Sequence, residues 1–180
     1  MRAVWLEVPE DFLEERRRLG LDKKDELWDG VLHMVPPPAF RHTHFAFELA
    51  RALATIAERR GWNAAGDCMG LFDSDANYRV PDAVIWRPGQ ESERGLESAI
   101  VVVEVLSPSD ESREKQPFYA AVGVAESWIV DPITRAVEVY VLEAGRYVPV
   151  PPSRSPVLGI TIELVGARLR LSDGDSVHEV

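Results

Sequence analysis

The sequence predicts an α+β or α/β fold with a mixed central sheet, on three observations. Segments with helical and strand periodicity follow one another in the order helix, hairpin, long helix, several strands, helix, strands. Residues 78–86 and 98–106 are near-continuous apolar runs rich in β-branched side chains, as in strands buried on both faces. The composition of the 180 residues, 46% apolar and 28% charged, is that of an ordinary globular domain.

Residues 8–20 read as a short helix, with Pro9, Glu10 and Asp11 in the first turn, Arg16, Arg17 and Arg18 in the last and Gly20 past its end. Residues 26–35 read as a hairpin, because Asp29-Gly30 lies between apolar segments and both can adopt positive φ; Pro36-Pro37-Pro38 ends its second strand. Over 39–60, Phe45, Leu49, Ala52, Leu53 and Ile56 fall at helical spacing, and Gly61 follows as a stop. Strand patterns then appear weakly over 62–72 and clearly over 78–86 and 98–106, separated by a polar connection at 87–97. Residues 109–122 read as a helix with Ser109 near its cap, although Pro117 either delays its start or kinks it. Strands are expected at 126–130, 136–142 and 146–150, with a turn at 143–146, followed by short apolar pieces around 157–165 and 168–171. No repeat or linker interrupts the chain, so residues 1–180 are expected to form one domain, which at this size buries about 70% of its unfolded surface.

The longest apolar run, 99–103, is broken by Glu104 and falls far short of the ~20 residues of a membrane span. The N-terminus meets acids early and lacks the pattern of a signal peptide, and Cys68 is the only cysteine, so a soluble, cytoplasmic protein without a disulfide is expected. The net charge of −10 argues against a simple nucleic-acid coat protein. The charge is uneven, however: residues 1–60 carry 10 basic and 11 acidic side chains and residues 61–180 carry 10 and 19. A surface facing a polyanion should therefore draw on the first third. Against 17 arginines there are only three lysines, Lys23, Lys24 and Lys115.

Glu104 interrupts the most apolar strand, where an uncompensated carboxylate would be costly. It is either paired with an arginine, placed at the exposed end of its strand, or bound to a divalent cation. Asp82, after Pro81 and at the head of the other apolar strand, favours the cation. Two acids on neighbouring strands bring four oxygens to one point, enough for a Mg²⁺ ion that keeps waters and a substrate phosphate in its shell.

Pro81-Asp82 followed by Glu104 resembles the opening of the PD-(D/E)XK nuclease motif, except that Leu106 stands where the lysine belongs. One branch of that superfamily has this form, the Uma family of restriction-endonuclease-like proteins. The resemblance covers about residues 25–150: Glu26 to Gly30, His42, Pro81-Asp82-Ala83-Val84, Val103 to Ser109, Lys115 with Tyr119, Gly123-Val124, and Trp128 to Pro132. It implies a restriction-endonuclease-like α+β fold, with a mixed sheet flanked by helices, that hydrolyses DNA phosphodiesters with Mg²⁺ or Mn²⁺. It further implies Asp82, Glu104 and the Val105 carbonyl as metal ligands, and Lys115 in place of the absent motif lysine. Lys115 would offset charge in the transition state and orient or activate the attacking water; its alternative is a solvated pairing with Glu111.

Glu26, His42 and Glu48 are supporting candidates. Glu26 matches a family acid that would reach the metal or its water shell, or else is an exposed hairpin acid. His42 is the histidine the resemblance favours, while His44, Glu48 and Arg51 share a helix face that is either solvated or turned to phosphate. Trp28, Trp86 and Trp128 read as core residues, and Ser107 as a cap of the following helix. Expected partners are DNA and a second copy of the chain, with no membrane. The alternatives are a nuclease-fold module that binds or assembles without cutting and, less in keeping with the spacing, an all-β enzyme with His33, His42 or His44 on a metal.

Overall fold

The computed structural model of the protein describes the backbone of residues 4–5 and residues 9–35, 38–66, 69–108 and 111–180. Val8, Pro36, Pro37, Cys68 and Ser109 lie outside the described residues.

The chain opens with β1 (Val4–Trp5) and α1 (Glu10–Leu19). Helix α1 buries no side chain and stops where Gly20 turns left-handed at φ 65°. Strands β2 (Glu26–Trp28) and β3 (Val31–His33) form the expected hairpin, with φ of 50° at Asp29 and 84° at Gly30, as a type I′ turn requires. α2 (Phe40–Glu58) is the long helix, and its buried stripe includes every apolar position picked out by periodicity.

The weak strand at 62–72 is two strands in different sheets, β4 (Asn63–Gly66) and β5 (Leu71–Ser74). The segment 78–86 is also divided, into β6 (Asn77–Arg79) and β7 (Ala83–Trp86), because Pro81 has no N–H to donate to a ladder. β1, β3, β2, β6 and β5, in that order, make a five-stranded sheet. The central sheet is six-stranded and mixed. After β8 (Val101–Val105) the chain crosses over α3 (Gln116–Ala121) to β9 (Glu126–Val130), which lies parallel to β8; β10 (Val137–Glu143) and β11 (Arg146–Val150) then return antiparallel. Its order is β11-β10-β9-β8-β7-β4. α3 is shorter than the expected 109–122 helix: Pro117 sits in its first turn, where its missing N–H costs nothing, and Lys115 is the cap. Ser107 therefore does not cap it. The tail forms a third, antiparallel sheet of β12 (Arg154–Ser155), β13 (Ile160–Val165), β14 (Arg168–Ser172) and β15 (Val177–Glu179).

Alternation along β8 assigns the two faces of the central sheet. Val101, Val103 and Val105 enter a core shared with Phe45, Leu49 and Leu53 of α2, with Ile162 and Leu171 of the third sheet, and with Leu158 between β12 and β13. Val102 enters the opposite core with Phe118 and Tyr119 of α3, Trp86 and Leu96. Glu104, two residues after Val102, faces α3. The fold is thus α+β, a mixed sheet with helices on both faces. No helix among the described residues is long and apolar enough to cross a membrane. Trp128 and Trp86 are core residues, as expected, whereas Trp28 is only half-buried, stacked on His33 with ring centroids 4.0 Å apart.

Candidate active site

Asp82 lies in the step between two sheets. β6 leaves the first sheet at Arg79 and β7 joins the central sheet at Ala83, with Val80-Pro81-Asp82 between them. Because β8 runs antiparallel to β7, with Ala83 opposite Val103, the end of β8 arrives beside Asp82. There the Val105 N–H donates to Asp82 Oδ2 at 2.8 Å. From α2, His42 Nε2 reaches 2.9 Å from the Val105 carbonyl oxygen and 3.3 Å from Asp82 Oδ2. Lys24 Nζ lies 3.8 Å from Asp82 Oδ1. Burial pushes the Asp82 carboxyl up, but His42, the Val105 N–H and Lys115 outweigh it and hold the group below its ordinary value. The bond to Asp82 is also the main reason that the His42 imidazole is raised.

On the α3 side, Glu104 is 3% exposed. Lys115 Nζ lies 3.1 Å from each of its carboxylate oxygens, and the Tyr119 hydroxyl donates to Oε1 at 2.5 Å. The compensating cation is therefore a lysine, not an arginine. Lys115 does not pair in solvent with Glu111; only its backbone N–H bonds the Glu111 carbonyl, while the ammonium also meets Glu26 Oε1 at 2.8 Å. Burial, with the charges of Asp82 and Glu26, pushes Glu104 up to about 8 despite Lys115. Lys115 is itself raised, because Glu104 and Glu26 outweigh the cost of its burial. Burial and the same two carboxylates raise the Tyr119 phenol well above its ordinary range, so it stays a donor.

The structure thus brings together Asp82, Glu104, Val105, Lys115, His42 and Glu26. Glu26 is neither an exposed hairpin acid nor turned to solvent: it is 2% exposed. Glu48 is not brought in. It lies six residues from His42, about 240° around the helix, and pairs instead with Arg51 at 2.7 Å on an exposed surface. His33 pairs with Glu111 and His44 stacks on Phe40, so the three histidines share no site. Among the described residues no three His, Cys, Asp or Glu side chains converge on a point where they could cage a metal. What is present is a two-carboxylate donor set with an adjoining carbonyl. A cleft of about 390 Å³, lined by Ala46, Ala50, Ala54, Ala64 and Phe47 as well as Lys24 and His42, opens at Asp82.

Two participants were not singled out by sequence reasoning. Lys24 carried a signal only as one of three lysines. Arg79 is 4% exposed and is held between the rings of Trp28, at 4.3 Å, and Phe118, at 4.4 Å. Nothing in its sequence neighbourhood marks it as buried.

The helix α2, strands β4, β7 and β8, helix α3 and strand β9, with acids at the ends of β7 and β8, define a restriction-endonuclease-like fold. A crystal structure of a "putative nuclease" from Anabaena variabilis shares it, with a TM-score of 0.61 at 18% identity over 74% of this chain and 82% of that one. The family model named Uma2, described as "Putative restriction endonuclease", matches residues 9–171, and the chain belongs to that family. Comparison with curated proteins finds no match.

Proposed function

We propose that the protein is a metal-dependent endonuclease that hydrolyses phosphodiester bonds in DNA. The observation that carries this reading is the meeting of Asp82, Glu104 and Lys115 around Val105, whose N–H bonds Asp82 and whose neighbour Glu104 bonds the Lys115 ammonium. Membership of a family described as "Putative restriction endonuclease" supports it.

The residues suit a divalent cation. Asp82, Glu104 and the Val105 carbonyl offer hard oxygen donors, and Mg²⁺ characteristically takes one or two carboxylates and completes its shell with water and substrate phosphate. Bound there, Mg²⁺ or Mn²⁺ would polarise the phosphate and lower the pKa of the attacking water. The chain's own contribution is electrostatic. Lys115, held protonated, presents a fixed positive charge to the phosphoryl group as negative charge accumulates on its oxygens. Tyr119 fixes the rotation of the Glu104 carboxylate through its hydrogen bond. His42 donates to the Val105 carbonyl and to Asp82, holding both at the site until a substrate and its counter-ion arrive. Lys24, beside Asp82, supplies a phosphate contact from the charge-balanced first third. In a protein of net charge −10 such contacts are few, so DNA affinity should be modest and fall as salt rises. The same reading expects a cytoplasmic protein, in keeping with the single cysteine.

A second reading, a module of the same fold that binds or assembles without cutting, is favoured by one observation: the Lys115 ammonium already has three carboxylate-oxygen partners, two on Glu104 and one on Glu26. Incubating single- and double-stranded DNA with Mg²⁺ or Mn²⁺ and the wild type, Asp82→Ala, Glu104→Ala or Lys115→Ala separates the two. The nuclease reading expects cleavage by wild type alone; cleavage indifferent to all three changes defeats the mechanism, and a wild type that binds DNA but leaves it intact supports the module.

A further inference from the structure

We propose that Glu26 is a positioning residue of the site, one carboxylate that fixes both the approach to Asp82 and the Lys115 ammonium without joining the metal's ligands. The inference rests on the nuclease reading for its kinetic consequence, but not for its structural one.

Glu26 belongs to β2 of the first sheet, yet both its oxygens serve the central site. Oε1 accepts the Val80 N–H at 2.8 Å and lies 2.8 Å from Lys115 Nζ. Oε2 accepts the Trp28 indole N–H at 2.8 Å. That indole is clamped between His33 on one side and Arg79 on the other, which fixes the plane of the carboxylate. The Val80 bond has a specific job. As the chain steps from β6 to β7 the Val80 N–H leaves the ladder, and Pro81 has none to offer; Glu26 takes over the partnership and so holds the residues that aim Asp82. Were Glu26 to turn to a cation, the Val80 N–H or the Lys115 ammonium would lose a buried partner. The carboxylate is committed to protein donors on both oxygens, and its role is to hold. Its second consequence concerns Lys115: with Glu26 as an independent anchor, the ammonium keeps its place when Glu104 turns toward a cation.

The test compares Glu26→Gln, which removes the charge at constant size, with Glu26→Asp, which restores it, and sets both in a double-mutant cycle with Lys115→Met. Three readouts are taken on folded protein: Mn²⁺ affinity by calorimetry, single-turnover cleavage, and crystal structures of the variants. We expect Glu26→Gln to change the Mn²⁺ Kd by less than about fivefold, to lower the cleavage rate by about 30-fold or more with KM little changed, and to add almost nothing to the loss in Lys115→Met, because Gln keeps an acceptor oxygen for the Val80 N–H and loses only the charge that holds the lysine. Glu26→Asp should recover part of the rate. In the Glu26→Gln crystal the Lys115 Nζ or the Val80–Asp82 segment should be displaced. A loss of Mn²⁺ affinity as large as that of Glu104→Gln would make Glu26 a ligand and overturn the proposal. So would fully additive losses, or an unmoved Lys115 and Val80–Asp82 segment. Should the wild type cleave no DNA, a displaced Lys115 in the crystal still upholds the positioning role while the nuclease reading falls, so the two fail separately.

Discussion

His42 Nε2 stands 3.3 Å from Asp82 Oδ2, and the same nitrogen lies 2.9 Å from the carbonyl oxygen of Val105. One imidazole N–H thus holds two of the oxygens proposed to bind a cation. Hydrogen bonds to charged groups contribute about 1.5–3 kcal/mol, and His42 is raised, chiefly by Asp82. A raised group stabilises the fold fully below its unfolded pKa and loses that contribution as pH rises through its folded value. His42→Ala should therefore destabilise the metal-free protein by about 2 kcal/mol near pH 6 and by clearly less near pH 9, where the neutral ring keeps its N–H but not its charge beside Asp82. Urea denaturation at both pH values checks this; a difference that grows with pH would exclude the charged pair.

Cation binding should be strongly pH-dependent in the direction set by Glu104. Burial, Asp82 and Glu26 push this carboxyl up to about 8, so near neutrality the metal-free site holds a proton that a cation must displace. His42, raised for its own reasons, adds a second proton that is lost in the same direction. Mn²⁺ affinity should climb from about pH 6 to about pH 9 with release of protons, and isothermal calorimetry in buffers of different ionisation enthalpy counts them. Glu104→Gln should flatten the climb. An affinity that is constant over this range would place the cation elsewhere.

Elements whose shape depends on neighbours in sequence were legible, and those that depend on partners across the fold were not. The α2 stripe and the Asp29-Gly30 turn follow from local periodicity and backbone preference, and both stand where expected. The expected helix over 109–122 shrank to Gln116–Ala121 because Pro117 can open a helix but not sit inside one. The single strand over 78–86 broke at Pro81, which has no N–H for a ladder, but that its two halves join different sheets is something no window of sequence reveals. At the site, the cost of burying a carboxylate in an apolar strand marked Glu104, and Asp82 followed as a second acid at the head of the other apolar strand, whereas Lys115 was reached through the family pattern. The burial of Glu26 comes from a sheet that packs against the site after folding, and the hairpin sequence around it reads equally well as exposed. Arg79 was illegible for the same reason: its partners Trp28 and Phe118 are 51 and 39 residues away in the chain.

Lys115→Met should damage the fold as well as the chemistry. It leaves Glu104 and Glu26, at 3% and 2% exposure, without their shared cation. At about pH 9, where Glu104 is ionised, removing one partner of a buried ion pair costs about 3–5 kcal/mol, or a fall in Tm of roughly 6–20 °C for a chain of this length. The double variant Glu26→Gln with Lys115→Met should recover part of that loss, because fewer charges are stranded. Thermal unfolding of the single and double variants decides it, with recovery expected and a further fall counting against a shared ion pair.

The third sheet should unfold together with the central one, because a buried acid joins them. Glu126 on β9 is 0% exposed; it accepts the Trp128 indole N–H at 2.6 Å and the Val157 N–H at 3.0 Å, and also the Ser155 hydroxyl. Burial raises its carboxyl, opposed by these donors. Val157 and Ser155 belong to the tail, and Leu158, Ile162 and Leu171 of the tail share a core with Val101, Val103 and Leu49. Glu126→Ala strands two buried donors and the half-buried Val157 N–H, at about 1–3 kcal/mol each before relaxation, so a net loss of about 3 kcal/mol is expected. Coupling through one core predicts that the loss appears as a shift of a single cooperative transition, observed at the same midpoint by far-ultraviolet circular dichroism and by tryptophan fluorescence. A separate, earlier transition confined to residues 151–180 would show instead that the tail is an independent unit. On the proposed nuclease reading, DNA cleavage per folded molecule should be unchanged at about 20 °C, since Glu126 bonds none of the site's residues.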